Sequence, residues 1–377
     1  MKILFLTESL STSMGGLATG IITLAIGLAK HIPNEKHLIL VQEDNQNSSF
    51  EEEYTLPKNL SVLKLKKFGP KLYPFALDMQ KNINKFNPDV IYLKGLWRQT
   101  SLEAYYWKKK NPSKILIISP AGMLQPLPLK NKKFLKKLSW FLIEKRLLKI
   151  SNAIHSVSKI ERDSILKSKI PVKKNIYIPE GMIINNSNLD KKNILSKKLV
   201  SISRIDPIKG LETLLESCKN LDFKEWKFFI YGNGDMKYIN KIKNLITKYK
   251  LEDKVILNDA IFGINKEIVL NDASAFILPS FSESFGIAIA EAMSFGIPVL
   301  TTTKTPWQVI KKKKLGWYVE PEISSLRKAL KDLFKCSQKE LEEIGARSKL
   351  YISKRYDYMT TSNQMKEEIL ALSKTKF

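Results

Sequence analysis

AFILPSFSESFGIAIAEAMSFGIPVL, residues 275–300, reads as a strand, a loop, a helix and the start of a second strand. The apolar run 274–278 has the length of a buried strand and stops at Pro279. A loop of small and polar residues follows, and a helix is expected from near Phe285 with Ser284 as its N-cap. The next strand is expected at 298–301. Strand, helix and returning strand form the repeating unit of a parallel sheet covered by helices.

The same alternation runs in both directions. Strands are expected at 2–7, 37–42, 89–93, 115–119, 152–157 and 175–178, with helices at 17–30, 75–86, 101–109, 132–149 and 159–168. A polar stretch from Gly181 to Lys198, rich in Asn and Lys, breaks the pattern and reads as a linker. Strands then resume at 199–203, 227–231, 254–258, 274–278, 298–301 and 316–319, and helices at 322–334, 338–353 and 357–373 close the chain. The expected architecture is α/β, with two Rossmann-like domains facing each other across a cleft at the carboxyl ends of their strands. The expected domains are residues 1–180 and 181–356, with a last helix at about 357–377 packing back on the first.

A length of 377 residues suits two such domains, and no apolar stretch approaches the roughly 20 residues of a membrane-spanning helix. Glu8 interrupts the opening MKILFLTESL too soon for a signal peptide, which favours a buried first strand. Cys218 and Cys336 form no metal-binding spacing and fit a reducing cytoplasm. The net charge of +26 invites a polyanion partner. Only seven of the 63 basic residues are arginine, however, and a lysine-filled surface is the plainer account. No specific nucleic acid is expected.

The chemistry concentrates after the strands of the C-terminal half. Backbone N–H groups of Phe285, Gly286 and Ile287 at a helix start would offer an anion site. Glu283, just before the helix, and Glu291, eight residues on and about two turns inside it, frame this start roughly 12 Å apart along the axis. Carboxylates accept hydrogen bonds from sugar hydroxyls. A solvated Glu283 and a paired structural Glu291 would be the plain alternative. SRIDPIKG (203–210) adds Arg204 and Lys209 on an Asp-Pro turn, two cations able to neutralise a diphosphate. YGNGD (231–235) brings Gly232 and Gly234 to a turn that would approach a nucleotide.

Together these residues resemble the family 4 retaining glycosyltransferases of GT-B fold, of the bacterial polysaccharide and lipopolysaccharide type. Glu283–Glu291 matches the family's E-x7-E element and Arg204 with Lys209 its R-x4-K pair; PEGMI (179–183), IYGNGD (230–235), FILPSFSESFG (276–286) and TPW (305–307) extend the likeness. The resemblance implies that Arg204 and Lys209 hold the donor diphosphate. It further implies that Glu283 contacts the donor sugar and Glu291 the ribose hydroxyls. It implies retention of anomeric configuration and no cofactor or metal, and no Asp-x-Asp motif occurs. The partners it implies are a UDP- or GDP-sugar donor and a glycan or lipid-linked acceptor.

In the N-terminal half, the loop SLSTSMGG (9–16) makes Gly15 and Gly16 donor-side candidates by the same resemblance. DVIYLKGLW (89–97) and ISPAGM (118–123) are similar to the acceptor-domain core, which makes Lys94, Trp97, Arg98 and Met123 acceptor-side candidates. Family members often carry histidine where this chain has Lys94 and Ala121, and His155 is expected to be structural. The helix expected at 132–149 alternates Lys132, Lys133, Lys136, Lys137, Lys145, Arg146 and Lys149 with aromatic and aliphatic residues. It suits either docking on an anionic membrane surface or an ordinary lysine-faced packed helix. The expectation is a cytoplasmic hexosyltransferase, peripheral on the inner face of the membrane. The competing readings are a non-catalytic nucleotide-sugar-binding protein, a polyanion-binding protein, and a sugar-nucleotide epimerase on the same fold.

Overall fold

The computed structural model describes residues 1–11, 14–42, 53–69, 73–125, 139–168, 170, 172–184 and 197–375. The chain divides into unit 1, Met1–Ile183 with Tyr356–Phe377, and unit 2, Ile184–Arg355. Most of the expected linker, residues 185–196, lies outside the described residues.

Unit 1 is built on seven parallel strands: β1 (Ile3–Leu6), β2 (His37–Gln42), β3 (Leu60–Leu65), β4 (Val90–Lys94), β5 (Ile115–Ser119), β6 (Ala153–Ser156) and β7 (Asn175–Tyr177). They stand in the order β3-β2-β1-β4-β5-β6-β7. ILFL, VIYLK and ILIIS are buried throughout, as strands covered on both faces must be. The edge strand β3 was not expected. In its sequence LSVLKL every side chain but Leu60 is half or fully exposed, and Ser61 and Lys64 break the continuous apolar run its neighbours have. Between the strands run α1 (Gly16–His31), α2 (Met79–Phe86), α3 (Gln99–Lys110), α4 (Lys145–Ile150) and α5 (Lys159–Lys167). The first half of the basic helix expected at 132–149 lies outside the described residues. The rest begins as a widened π turn, Trp140–Glu144, that leads into α4.

Unit 2 repeats the plan with β8 (Lys198–Ile202), β9 (Lys227–Tyr231), β10 (Val255–Asn258), β11 (Ala275–Leu278), β12 (Val299–Thr302) and β13 (Gly316–Val319), in the order β10-β9-β8-β11-β12-β13. Its helices are α6 (Leu211–Cys218), α7 (Met236–Lys248), α8 (Gly263–Asn271), α9 (Ile287–Ser294), α10 (Val309–Lys312), α11 (Ile323–Lys335) and α12 (Gln338–Arg355). Trp226, fully buried, stacks on Phe334 of α11 at 5.1 Å between ring centroids.

The chain then returns to unit 1. Met182 N–H donates to the Tyr356 carbonyl at 2.7 Å, and Tyr358 N–H to Met182 at 3.0 Å. The last helix, α13 (Tyr358–Lys374), lies along α1. Gly27 of α1 admits it, because a Cβ there would overlap Ser362. Lys30 Nζ donates to Tyr358 Oη at 2.7 Å, and His31 Nε2 lies 2.9 Å from the Met359 carbonyl.

In each sheet the first strand is flanked on both sides by later ones. The loops leaving β1 and β4 in unit 1, and β8 and β11 in unit 2, therefore diverge at a switch point where open α/β sheets bind ligands.

Candidate active site

In unit 2 three loops meet at that point. Asp206 caps a 3-10 turn, Pro207–Lys209, by accepting Ile208 N–H at 3.0 Å. Phe281 N–H of the β11 loop donates to the Ile208 carbonyl at 2.8 Å. Gly210, at φ 71°, packs so close to Pro279 that a Cβ would overlap its carbonyl. On the other side Ile205 N–H donates to the Asn233 carbonyl at 2.7 Å. A Cβ on Gly232 would overlap the Ser203 carbonyl oxygen, and one on Gly234 that of Ile205. Both glycines thus serve the seam between YGNGD and SRID. Gly232→Ala is expected to cost about 1–3 kcal/mol of stability, because backbone must move to admit the methyl group. Urea unfolding would measure it, and a midpoint unchanged from wild type would refute the seam.

The helix carrying the acids differs from expectation. α9 starts at Ile287, and its N-cap is Gly286 in the left-handed region at φ 82°, not Ser284. Glu283 therefore lies in the loop, and Glu291 is the fifth helical residue, just over one turn in rather than two. The 12 Å rise does not apply, since the helix starts only at Ile287 and the residues between it and Glu283 are not helical. Gly286 is needed because only glycine holds this backbone readily, and Trp307 Nε1 and Ile289 crowd the place a Cβ would take. Trp307, from TPW, donates to the Phe285 carbonyl at 2.6 Å and packs on the Phe285 ring at 5.3 Å. Phe285 is buried and anchors the loop. Thr301 and Thr302 tie β12 to the carbonyls of Leu278 and Ser280.

Each acid meets a lysine. Lys209 Nζ lies 2.5 Å from Glu283 Oε1, with side chains 14% and 11% exposed, and Ser280 Oγ donates to the same oxygen at 2.7 Å. Lys266 Nζ of α8 lies 2.8 Å from Glu291 Oε1, with 14% and 17% exposed. Lys266 was missed by the sequence reading, because a lysine in INKEIV follows no motif. Arg204 is 59% exposed and reaches Asp206 only at 3.9 Å. The first-turn N–H groups of α9 come four residues after Glu283, and Glu291, paired with Lys266, lies just over one turn along the same helix.

In unit 1, Gly15 caps α1 at φ 52° and ψ −131°, a glycine conformation, with open space where a Cβ would sit; Gly16 is the first helical residue. Lys94 leaves the acceptor-facing set: it is 2% exposed and its Nζ lies 2.5 Å from Glu180 Oε1 of PEGMI. Gly20 makes room for this pair. Its neighbour His155 stays neutral, its pKa pushed down to about 4 by burial; its ring meets Tyr92 Oη at 2.6 Å and the Ile178 carbonyl at 2.7 Å. Arg98 Nε lies 2.8 Å from Glu8 and is 40% exposed. Trp97 takes a left-handed φ of 61°, and Met123 Sδ accepts Leu96 N–H at 3.2 Å. Among the described residues no three His, Cys, Asp or Glu side chains gather as a metal site.

Two parallel sheets with ligand loops at their switch points define a GT-B protein, and comparison with solved structures agrees. Sucrose-phosphate synthase from Thermosynechococcus elongatus superposes with a TM-score of 0.78 at 15% identity, over 99% of both chains. Anabaena HepE in complex with UDP and glucose superposes at 0.75 and 18%, over 98% of this chain and 100% of that one. Residues 185–350, most of unit 2, match the family model described as glycosyl transferases group 1. Among curated relatives, Salmonella typhimurium WcaL, provisionally named a colanic acid biosynthesis glycosyltransferase, is 25% identical over 178 residues. The match covers 45% of this chain and 43% of WcaL, so it spans less than half of that relative's length.

Proposed function

We propose that the protein is a retaining glycosyltransferase that moves a hexose from a UDP- or GDP-sugar to a hydroxyl of a glycan or lipid-linked acceptor in surface polysaccharide synthesis. The observation that carries this reading is the pairing of Lys209 with Glu283 in the loop before α9, with Lys266 and Glu291 paired just over one turn along that helix. An arriving diphosphate is an acceptor for Lys209, Arg204 and the first-turn N–H groups of α9. Sugar and ribose hydroxyls are donors for Glu283 and Glu291. As the glycosyl bond breaks, negative charge grows on the leaving phosphate, and the fixed cations stabilise it without a metal. The leaving phosphate oxygen then takes the acceptor's proton. A UDP-glucose-type donor accords with the UDP and glucose held by HepE, and a polysaccharide acceptor with the name given to WcaL.

We place the enzyme in the cytoplasm, peripheral on the inner face of the membrane. Phe141 and Leu142, 58% and 53% exposed, precede Lys145 and Arg146 and would enter the headgroup layer beside basic partners. No helix among the described residues is long and apolar enough to cross a membrane.

The test is a thermal-shift and sugar-release screen with UDP- and GDP-sugars, with and without EDTA. At a hundredfold excess over Kd, binding adds about 2.7 kcal/mol and raises Tm. The expected result is a shift with one nucleotide family that survives EDTA and is lost in Glu291→Ala. A Tm indifferent to every nucleotide would sink the reading and favour a polyanion binder.

A further inference from the structure

Two buried glutamates in unit 1 take no part in the chemistry above. Glu144, the last residue of the π turn, is 1% exposed, and its Oε1 accepts Trp97 N–H at 2.7 Å. Glu161, in the first turn of α5, is 0% exposed; Oε1 accepts Gly122 N–H at 2.5 Å and Oε2 accepts Val157 N–H at 2.9 Å. Both grip backbone across long stretches of sequence, at residues 47 and 39 positions away.

The backbone they grip is strained. Trp97 (φ 61°) and Ala121 (φ 49°) are two of the seven left-handed non-glycine residues among the described residues. Gly95 (φ 95°) and Gly122 (φ 84°) flank them. The left-handed region is sterically costly for a non-glycine residue, so such a turn persists where its surroundings hold it. The two turns also hold each other. Gly95 N–H donates to the Ser119 carbonyl at 2.9 Å, and Leu96 N–H to Met123 Sδ. They leave the adjacent strands β4 and β5 and carry Trp97, Arg98 and Met123.

We infer that Glu144 and Glu161 are positioning residues: buried carboxylate clamps that set the turns at 95–98 and 120–123 as one platform against which the acceptor is oriented. This rests on the reading of unit 1 as the acceptor side. Burial pushes both carboxyls up to about 7, yet each is opposed by the backbone N–H groups it accepts, as a clamp requires.

The two clamps differ in what can replace them. Both Glu161 oxygens face N–H donors, so an amide NH2 must collide with one. Glu144 meets a backbone N–H through Oε1 alone; its buried Oε2 has no hydrogen-bond partner and lies near the Ser101 and Ser139 hydroxyls, which can accept from an amide. Glu161→Gln should therefore release the 120–125 turn, Glu144→Gln should keep the 95–98 turn, and Glu144→Leu should free it.

Amide hydrogen exchange read by mass spectrometry follows the two turns directly, and needs no activity. Losing one charge-assisted bond is expected to speed exchange about tenfold or more in the affected turn. In the transfer assay Glu161→Gln and Glu144→Leu should raise acceptor KM about tenfold, and Glu144→Gln should not, with the nucleotide-induced Tm shift unchanged in all three. Wild-type protection in Glu161→Gln, or equal loss in Glu144→Gln and Glu144→Leu, would overturn the inference. So would a donor Tm shift lost along with acceptor affinity. If Glu161→Gln fails to fold, the Glu144 pair decides alone. If the wild-type protein transfers no sugar, the functional reading fails, and exchange still decides whether the clamps exist.

Discussion

Glu283→Ala is expected to abolish sugar transfer, and Lys209→Met to lower kcat by about 10²–10³-fold, the loss typical of one fixed group at a developing charge. Each change also strands a partner, since Lys209 and Glu283 are 14% and 11% exposed and 2.5 Å apart. A stranded, nearly buried charge destabilises by itself, which could mimic a catalytic defect. The double variant Lys209→Met with Glu283→Gln separates the two effects. It removes both charges, so urea stability should return near wild type while transfer stays lost. Recovery of transfer along with stability would mean that the pair is structural and would remove both residues from the mechanism.

Lys94→Met is expected to destabilise the protein by about 3–5 kcal/mol, the cost of leaving one member of a buried ion pair alone. Lys94 and Glu180 have side chains 1% and 6% exposed, and the pair sits against Gly20 of α1, where no Cβ fits. It joins β4, α1 and the segment that ends unit 1's first passage. Adding Glu180→Gln should restore most of the loss. Urea unfolding with unit 1 tryptophan fluorescence would show it, and a Lys94→Met midpoint equal to wild type would contradict the assigned pairing.

The alternation of apolar strands and amphipathic helices made the two sheets legible, because parallel strands buried on both faces read as unbroken apolar runs. β3 escaped because an edge strand need be apolar on one face only. At the site, the spacing of Glu283 and Glu291 was visible but its geometry was not. A helix start depends on which residue accepts the left-handed cap, and Gly286 does so two residues beyond the expected cap, Ser284. Lys94 looked available because it ends a strand, whereas its carboxylate partner lies 86 residues away, beyond the reach of local pattern. Lys266 was invisible for the same reason. Glu161 left a partial trace: Ser158 and Glu161 have capping-box spacing, and Ser158 Oγ does accept Glu161 N–H at 3.2 Å. Nothing local could show that the carboxylate reaches Gly122.

The return of the chain to unit 1 sets an order of events at the ribosome. Unit 2 is one continuous segment and has all its strands once Arg355 has been made, whereas unit 1 waits for α13 to cover the face of α1 around Gly27. Domains fold as units during synthesis, so the half made first is completed last. Until then the face of α1 that carries Gly27, Lys30 and His31 lacks the cover that α13 gives it in the finished protein. A premature stop after unit 2 would therefore damage the N-terminal half of the protein, far in sequence from the lesion.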